Sequence, residues 1–204
     1  PAVRAKLGQY PAVTFLVVAT GPAEAGIGMI DSRLEDAYYL AGIAAARTTR
    51  TRRLGFVGPH LHAQPIRFAN AFLLGARRVD PRIALEVRWL GSWFDAGPAD
   101  AQGRHLEERL TQQLVASGCD VIAHNLDSAR VVIEVAREAA AGRRVFSLAN
   151  NTVEQCDGAP TSCIGTTTRQ WSAMYARLFD TIHQGQFKTG QLLVDGIRVD
   201  RAQS

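Results

Sequence analysis

The side chains best suited to recognising a small molecule lie at the downstream ends of apolar runs. Trp93, Phe94 and Asp95 close the stretch 84–97 (ALEVRWLGSWFDAG), which alternates β-branched and aromatic residues before breaking at Gly91-Ser92. Asn125, Leu126 and Asp127 follow VIAH, Asn150 and Asn151 follow VFSLA, and Pro59 and His60 follow GFVG. In open α/β sheets, ligands sit outside the carboxyl ends of the strands. Aromatic faces beside amides and carboxylates suit a planar, hydrogen-bonding molecule better than a phosphate or a metal. Each position also has an ordinary use. Trp93 and Phe94 can fill space between strand and helix, and Asp127 or Ser128 can cap the helix that follows. Strand ends carrying such groups together favour a shared site.

The elements that must position these residues follow a βα rhythm. Residues 13–19 (VTFLVVA) read as a strand buried on both faces, with a Gly-rich connection after it and a helix over 31–49. A strand over 53–58 (RLGFVG) precedes a helix over 65–79 that presents Ile66, Ala69, Phe72 and Leu73 on one side. Asp80-Pro81 stops that helix. The aromatic strand comes next, then a helix over 99–117 closed by Gly118. Strands over 120–124 and 144–149 bracket a helix over 128–141. A short strand over 161–167 and a helix over 171–184 complete the pattern. Alternation with connections this short predicts parallel βαβ units of right-handed crossover, an α/β fold.

Composition narrows the function. The chain has 204 residues, 47% hydrophobic and 21% charged, with a formal net charge of +4. This is the profile of a globular domain with a sizeable core. The basic residues are scattered arginines, apart from a cluster at 47–53 (RTTRTRR) where a helix end runs into a strand. Nucleic-acid binding would need a basic face with interleaved aromatics, so no nucleic-acid partner is expected. No apolar run is long enough to span a bilayer. The five histidines form no HExxH or other spaced metal motif. His60 and His62 (PHLHAQP) read as a solvated loop ahead of a metal pair. GxSxG, a P-loop and a dinucleotide fingerprint are all missing from the sequence, so neither catalysis nor a cofactor is expected. Cys119 reads as a small buried hydrophobe. Cys156 and Cys163 flank CDGAPTSC with the spacing of a local disulfide, which points to an oxidising compartment.

The segments EDAYYLAGIAAARTT, LGFVG, PIRFANAFLLGAR, GSWFD, GCDVIAHNLDS and TTTRQWSAMYARLFD resemble the basic membrane protein family, the purine-nucleoside-type substrate-binding lipoproteins of ABC importers. The resemblance runs from about Tyr10 to Gly185. It implies a periplasmic-binding-protein type I fold, with Rossmann-like parallel sheets flanked by helices. One lobe would be complete and the other partial, because the family's first lobe begins about a hundred residues earlier. The implied layout is a remnant of the first lobe over 1–52, the second lobe over 53–168, and a closing helix and hinge crossover over 169–204. By position, Phe94 with Trp93 beside it matches the aromatic that stacks on the base. Asp127, with Asn125 in the same HNLDS segment, matches the polar contact after the next strand. Asn150 and Asn151 match an Asn/Asp loop touching base or ribose, and Trp171 matches one of a tryptophan pair. Arg169 stands where the family has the other tryptophan, and HNLDS replaces a family-typical HTDS. The implied function is capture of a purine nucleoside or nucleobase outside the cytoplasmic membrane. The partners would be importer membrane subunits, with the membrane reached only through a lipid anchor outside these residues. The alternative is the ligand-sensing domain of a receptor, kinase or regulator.

Overall fold

A computed structural model describes residues 3–18, 25–190 and 192–195, the last four by backbone alone. The chain forms two compact units, Leu34–Thr168 and a smaller one built from Pro1–Arg33 with Arg169–Ser204.

The smaller unit opens with the single-turn helix α1 (Arg4–Leu7). Strands β1 (Phe15–Val18) and β2 (Ile27–Ser32) then pair in parallel. β2 pairs on its other side, also in parallel, with the last strand of the chain, Leu192–Asp195. Among the described residues its core holds Ile30, Met174 and Leu178, with Leu16, Trp171, Ile182 and Phe187 packed around them. Sequence reading missed β2, because its apolar run is short and broken by Gly28. That glycine leaves room for its neighbours, since a Cβ would lie 2.1 Å from the end of the Phe187 ring and 2.6 Å from a Leu16 methyl and would displace both side chains. Ala19 of the expected first strand, residues 19–24 of the Gly-rich connection and residues 196–204 of the closing segment lie outside the described residues.

The larger unit begins with α2 (Leu34–Thr48), followed by β3 (Arg53–Gly58), α3 (Ala63–Val79), β4 (Ala84–Trp89) and α4 (Leu106–Ala116). β5 (Val121–His124), α5 (Arg130–Ala140), β6 (Phe146–Asn150) and β7 (Cys163–Thr167) complete it. The five strands run parallel in the order β4-β3-β5-β6-β7. Their apolar runs are buried on both faces, as a fully covered parallel sheet demands. Phe56, Val121, Ala123 and Leu148 face a layer containing Tyr38, Phe68 and Phe72 of α2 and α3. Val57 and Ile122 face Leu110, Leu114, Val131 and Val135 of α4 and α5. The chain steps from β3 to β4 in one direction and from β4 through β5 to β6 in the other. Right-handed crossovers therefore send α3 to one face and α4 and α5 to the opposite one. The order of the chain reverses between β3 and β5, the switch point outside which ligands of open α/β sheets bind.

Helix α2, grouped with residues 1–52 in the sequence reading, packs instead in the larger unit. Glycines at the α2–α3 crossing permit this, for a Cβ on Gly42 would lie 2.0 Å from the Phe72 carbonyl oxygen and one on Gly75 1.9 Å from that of Tyr39. α2 also starts three residues later than expected, after β2. Helix α4 starts at Leu106 rather than 99. The Asp100 carboxylate accepts the amides of Gln102 and Arg104, and Gly103 takes φ 74°, which together make a turn of 100–104. Cys156 and Cys163 form the expected disulfide, and Cys119 is buried and free.

Candidate functional site

The carboxyl rim of the larger unit's sheet gathers the four strand ends singled out in the sequence. The loop after β4 leaves the strand through Gly91 at φ 87°, a left-handed conformation that suits glycine. The Ser92 hydroxyl donates to the Phe94 carbonyl at 2.7 Å and tightens the turn. Trp93 is 36% and Phe94 52% exposed, so neither ring is buried in the core. The Trp93 indole meets His60 and His62 edge-on, with centroids 5.7 and 5.9 Å away. The two histidines thus brace the tryptophan from a loop that stays open to solvent, Leu61 and His62 both being exposed. Among the described residues, no cluster of three or more His, Cys, Asp or Glu could hold a metal ion.

The loop after β5 is tied to the aromatic loop through its backbone, the Asp127 amide donating to the Trp93 carbonyl at 2.9 Å. Asn125 leaves β5 with its amide bonded to the Val57 carbonyl, which places its backbone beside β3 where the strand order reverses. Its side-chain Oδ1 is buried and accepts no hydrogen bond. A buried acceptor without a donor costs free energy, which a ligand N–H or O–H could recover. Asp127 is exposed, and one of its carboxylate oxygens faces Asn151 Nδ2 at 3.4 Å. Asn151 takes φ 70°, a left-handed conformation asparagine tolerates better than most residues. Neither Asp127 nor Ser128 is the N-cap of α5; Ala129 occupies that position.

Two residues are turned away from the rim. Asn150 is fully buried. Its Oδ1 accepts the Tyr38 hydroxyl at 3.0 Å and the Thr167 hydroxyl at 3.3 Å, and its Nδ2 donates to the Leu126 carbonyl. That amide knits β6 to α2, β7 and the β5 loop. Asp95, expected beside the aromatic faces, points back to the start of α4, where its carboxylate accepts the Leu106 amide at 2.7 Å and the Gly97 amide at 2.9 Å. These amides, Leu106 first, hold its pKa below the usual carboxylate range. Trp171 belongs to the smaller unit. There it opens α6 (Trp171–His183), stacks on Tyr175 with centroids 5.7 Å apart, and lies beneath the Arg169 guanidinium.

Sequence reading missed the supports beneath the rim. Glu107 is fully buried and bonds to Asp95, Ser128 and Arg130. His124 is also fully buried, and burial pushes its pKa down to about 4, so it stands neutral in the core. The motif HLEE at 105–108 carries a signal for the helix start beside Glu107, though not for Glu107's own partners. A His-x-x-Glu pattern before an apolar periodicity marks a helix start, and Glu108 accepts the His105 amide at 2.8 Å.

A five-stranded parallel sheet wound on both sides, with aromatic, amide and carboxylate groups at its carboxyl rim, defines a doubly wound α/β domain. The fold is that of periplasmic-binding proteins of type I. A solved solute-binding protein of an ABC transporter from Aeropyrum pernix superimposes with a TM-score of 0.71 at 17% identity, covering 93% of this chain and 53% of that one. Residues 2–201 match the Bmp family, described as ABC transporter substrate-binding protein PnrA-like, and the chain belongs to that family. A purine-binding protein of Brucella abortus is 27% identical over 183 residues, 89% of this chain and 48% of the relative. A protein of Haloferax volcanii named as an ABC transporter glucose-binding protein is 27% identical over 179 residues, 88% of this chain and 42% of the relative. The chain thus spans less than half the length of these curated relatives.

Proposed function

We propose that the chain is the ligand-holding part of an extracytoplasmic solute-binding protein that captures a purine nucleoside or nucleobase for an ABC importer. The observation that carries this reading is the company kept by Asn125. Asn125, whose buried oxygen accepts no hydrogen bond, directly follows β5 at the rim that also carries the exposed faces of Trp93 and Phe94. A flat heterocycle stacks on an aromatic face, while its N–H groups or the ribose hydroxyls satisfy Asn125 and Asp127. Asn151 holds the Asp127 carboxylate from the next strand end, and Asn150 supports the loop from below. Family membership and the name of the Brucella relative favour purines, whereas the Haloferax relative makes a sugar the competing solute. The chain lacks the sequence motifs of a catalytic site, and the Cys156–Cys163 disulfide suits an oxidising compartment outside the cytoplasmic membrane. The family match over 2–201 favours an importer component over a sensor or regulator domain of the same fold.

Isothermal titration calorimetry with adenine, adenosine, guanosine and glucose tests the reading. At least one purine should bind and glucose should not. Stacking on one aromatic ring is worth about 1–3 kcal/mol. Phe94→Ala should therefore weaken purine binding about 5- to 150-fold with the far-ultraviolet spectrum unchanged. Asp127→Ala should reorder adenosine against guanosine. Binding of glucose alone, or a Phe94→Ala variant of undiminished purine affinity, overturns the proposal.

A further inference from the structure

Beneath the two loops that carry the proposed ligand contacts lies a carboxylate that bonds to both of them and is shut off from solvent. Glu107, in the first turn of α4, is fully buried. Its Oε1 accepts the backbone amide of Asp95 at 3.1 Å. Its Oε2 accepts the Ser128 hydroxyl at 2.8 Å and Arg130 Nη1 at 3.2 Å. Arg130 Nη1 also donates to the Asp95 carbonyl at 2.7 Å. Asp95 directly follows Phe94, and Ser128 directly follows Asp127. One carboxylate therefore holds the residue after each proposed contact, and the bond from the Asp127 amide to the Trp93 carbonyl closes the circuit from above.

A buried ion pair is weak grounds for stability, because well-packed apolar residues of similar size often do as well or better. What apolar residues cannot supply is directional bonding to donors on two different loops. We infer that Glu107, with Arg130 and Ser128, is a positioning residue for the rim, fixing the Trp93–Phe94 turn against Asp127. The inference rests on the proposed role of those loops, while its structural half can be read without any ligand. A glutamine at 107 keeps the shape but has one acceptor where two are used, and it turns an N–H₂ toward a donor.

The test uses the whole chain labelled with 5-fluorotryptophan, with the Trp93 fluorine signal assigned by Trp93→Phe, and adenosine as the calorimetric probe. In Glu107→Gln, the Trp93 signal should shift or broaden while unfolding stays cooperative, and the adenosine Kd should rise at least ~10-fold. Ser128→Ala, which deletes one hydroxyl, should move the same signal less and weaken adenosine ~3-fold. The double variant Glu107→Met/Arg130→Met guards against a merely structural effect. It should unfold at or near the wild-type midpoint yet bind adenosine as poorly as Glu107→Gln. An unmoved Trp93 signal in both Glu107→Gln and Ser128→Ala overturns the inference, and so does a moved signal with adenosine affinity unchanged. If the signal moves but wild-type protein binds no adenosine, the positioning role holds and the purine reading fails.

Discussion

The two compact units solve the same packing problem to different degrees. In the larger one, five parallel strands lie between two helical layers, and Phe56, Val57, Ile122 and Ala123 lose all contact with solvent. In the smaller one, the described residues bury Ile27, Met29, Ile30, Met174 and Leu178 among their larger apolar side chains, and leave Tyr10, Val13, Val18, Tyr175 and Phe179 exposed. Parallel sheets are normally covered on both faces. The contrast places the cooperative stability of these residues in the 34–168 unit, and it is this unit's rim that carries the candidate site.

The sharpest way to break the contrast is at the α2–α3 crossing. An alanine in a helix normally gains up to ~1 kcal/mol over glycine. At Gly75, however, the new methyl would lie 1.9 Å from the Tyr39 carbonyl oxygen, and no flexible side chain is there to yield. Overpacking should win, and Gly75→Ala should lose about 3 kcal/mol in urea unfolding. Gly8→Ala in the smaller unit, where a Cβ meets nothing within 4 Å, should stay within about 0.5 kcal/mol. Equal effects at the two sites would abolish the distinction.

Next in size is His124. Its pKa is held at about 4 in the folded chain against 6.5 when exposed, so the unfolded state binds more protons between those values. Stability should therefore be at its full value above pH 6.5 and fall as the pH drops from 6.5 toward 4, losing about 2 kcal/mol between pH 7 and pH 5. His124→Asn, which can still accept the Leu126 amide, should flatten that slope. Asp95 gives a smaller effect of the same direction in acid. Its lowered pKa means that its capping contribution is present above the ordinary carboxylate pKa and is lost as the pH falls through the depressed value. Asp95→Ala should cost about 1 kcal/mol at pH 7, and the difference from wild type should vanish in strong acid.

The regular part of the larger unit could be read from the sequence because its signals are local. GFVG, VIAH and VFSLA are unbroken apolar runs, and α3 shows a clear helical stripe ended at Asp80-Pro81. β2 could not be read that way. Its four apolar positions include a glycine, and its partner strand lies more than 160 residues downstream. At the rim, residue types were informative but their directions were not. Asn150 and Asn151 are chemically identical neighbours, and successive residues at a strand end point to opposite sides. One fills the core and the other faces out. Asp95 resembled a ligand group until Leu106 proved to be the helix start that needs its carboxylate. Glu107 and Arg130 lie 23 positions apart, and nothing in their spacing pairs them.

The smallest predicted effect tests the poorly covered side of the contrast. Tyr175 and Phe179 stand one helical turn apart on α6, stacked at 6.3 Å, and are 36% and 62% exposed. Removing a ring that already faces water gives up little burial, and an exposed pair adds only a fraction of the aromatic bonus found in cores. Phe179→Ser should thus change unfolding free energy by less than about 0.5 kcal/mol, against the 3–5 kcal/mol expected for Phe56→Ala in the larger core. The measurement is urea unfolding at two protein concentrations. A loss above about 1.5 kcal/mol that grows with concentration would mean that a second copy covers this face in solution, because only association makes apparent stability depend on concentration. A large loss independent of concentration would instead show that α6 is buried more deeply than its exposure indicates, and the contrast between the two units would fail.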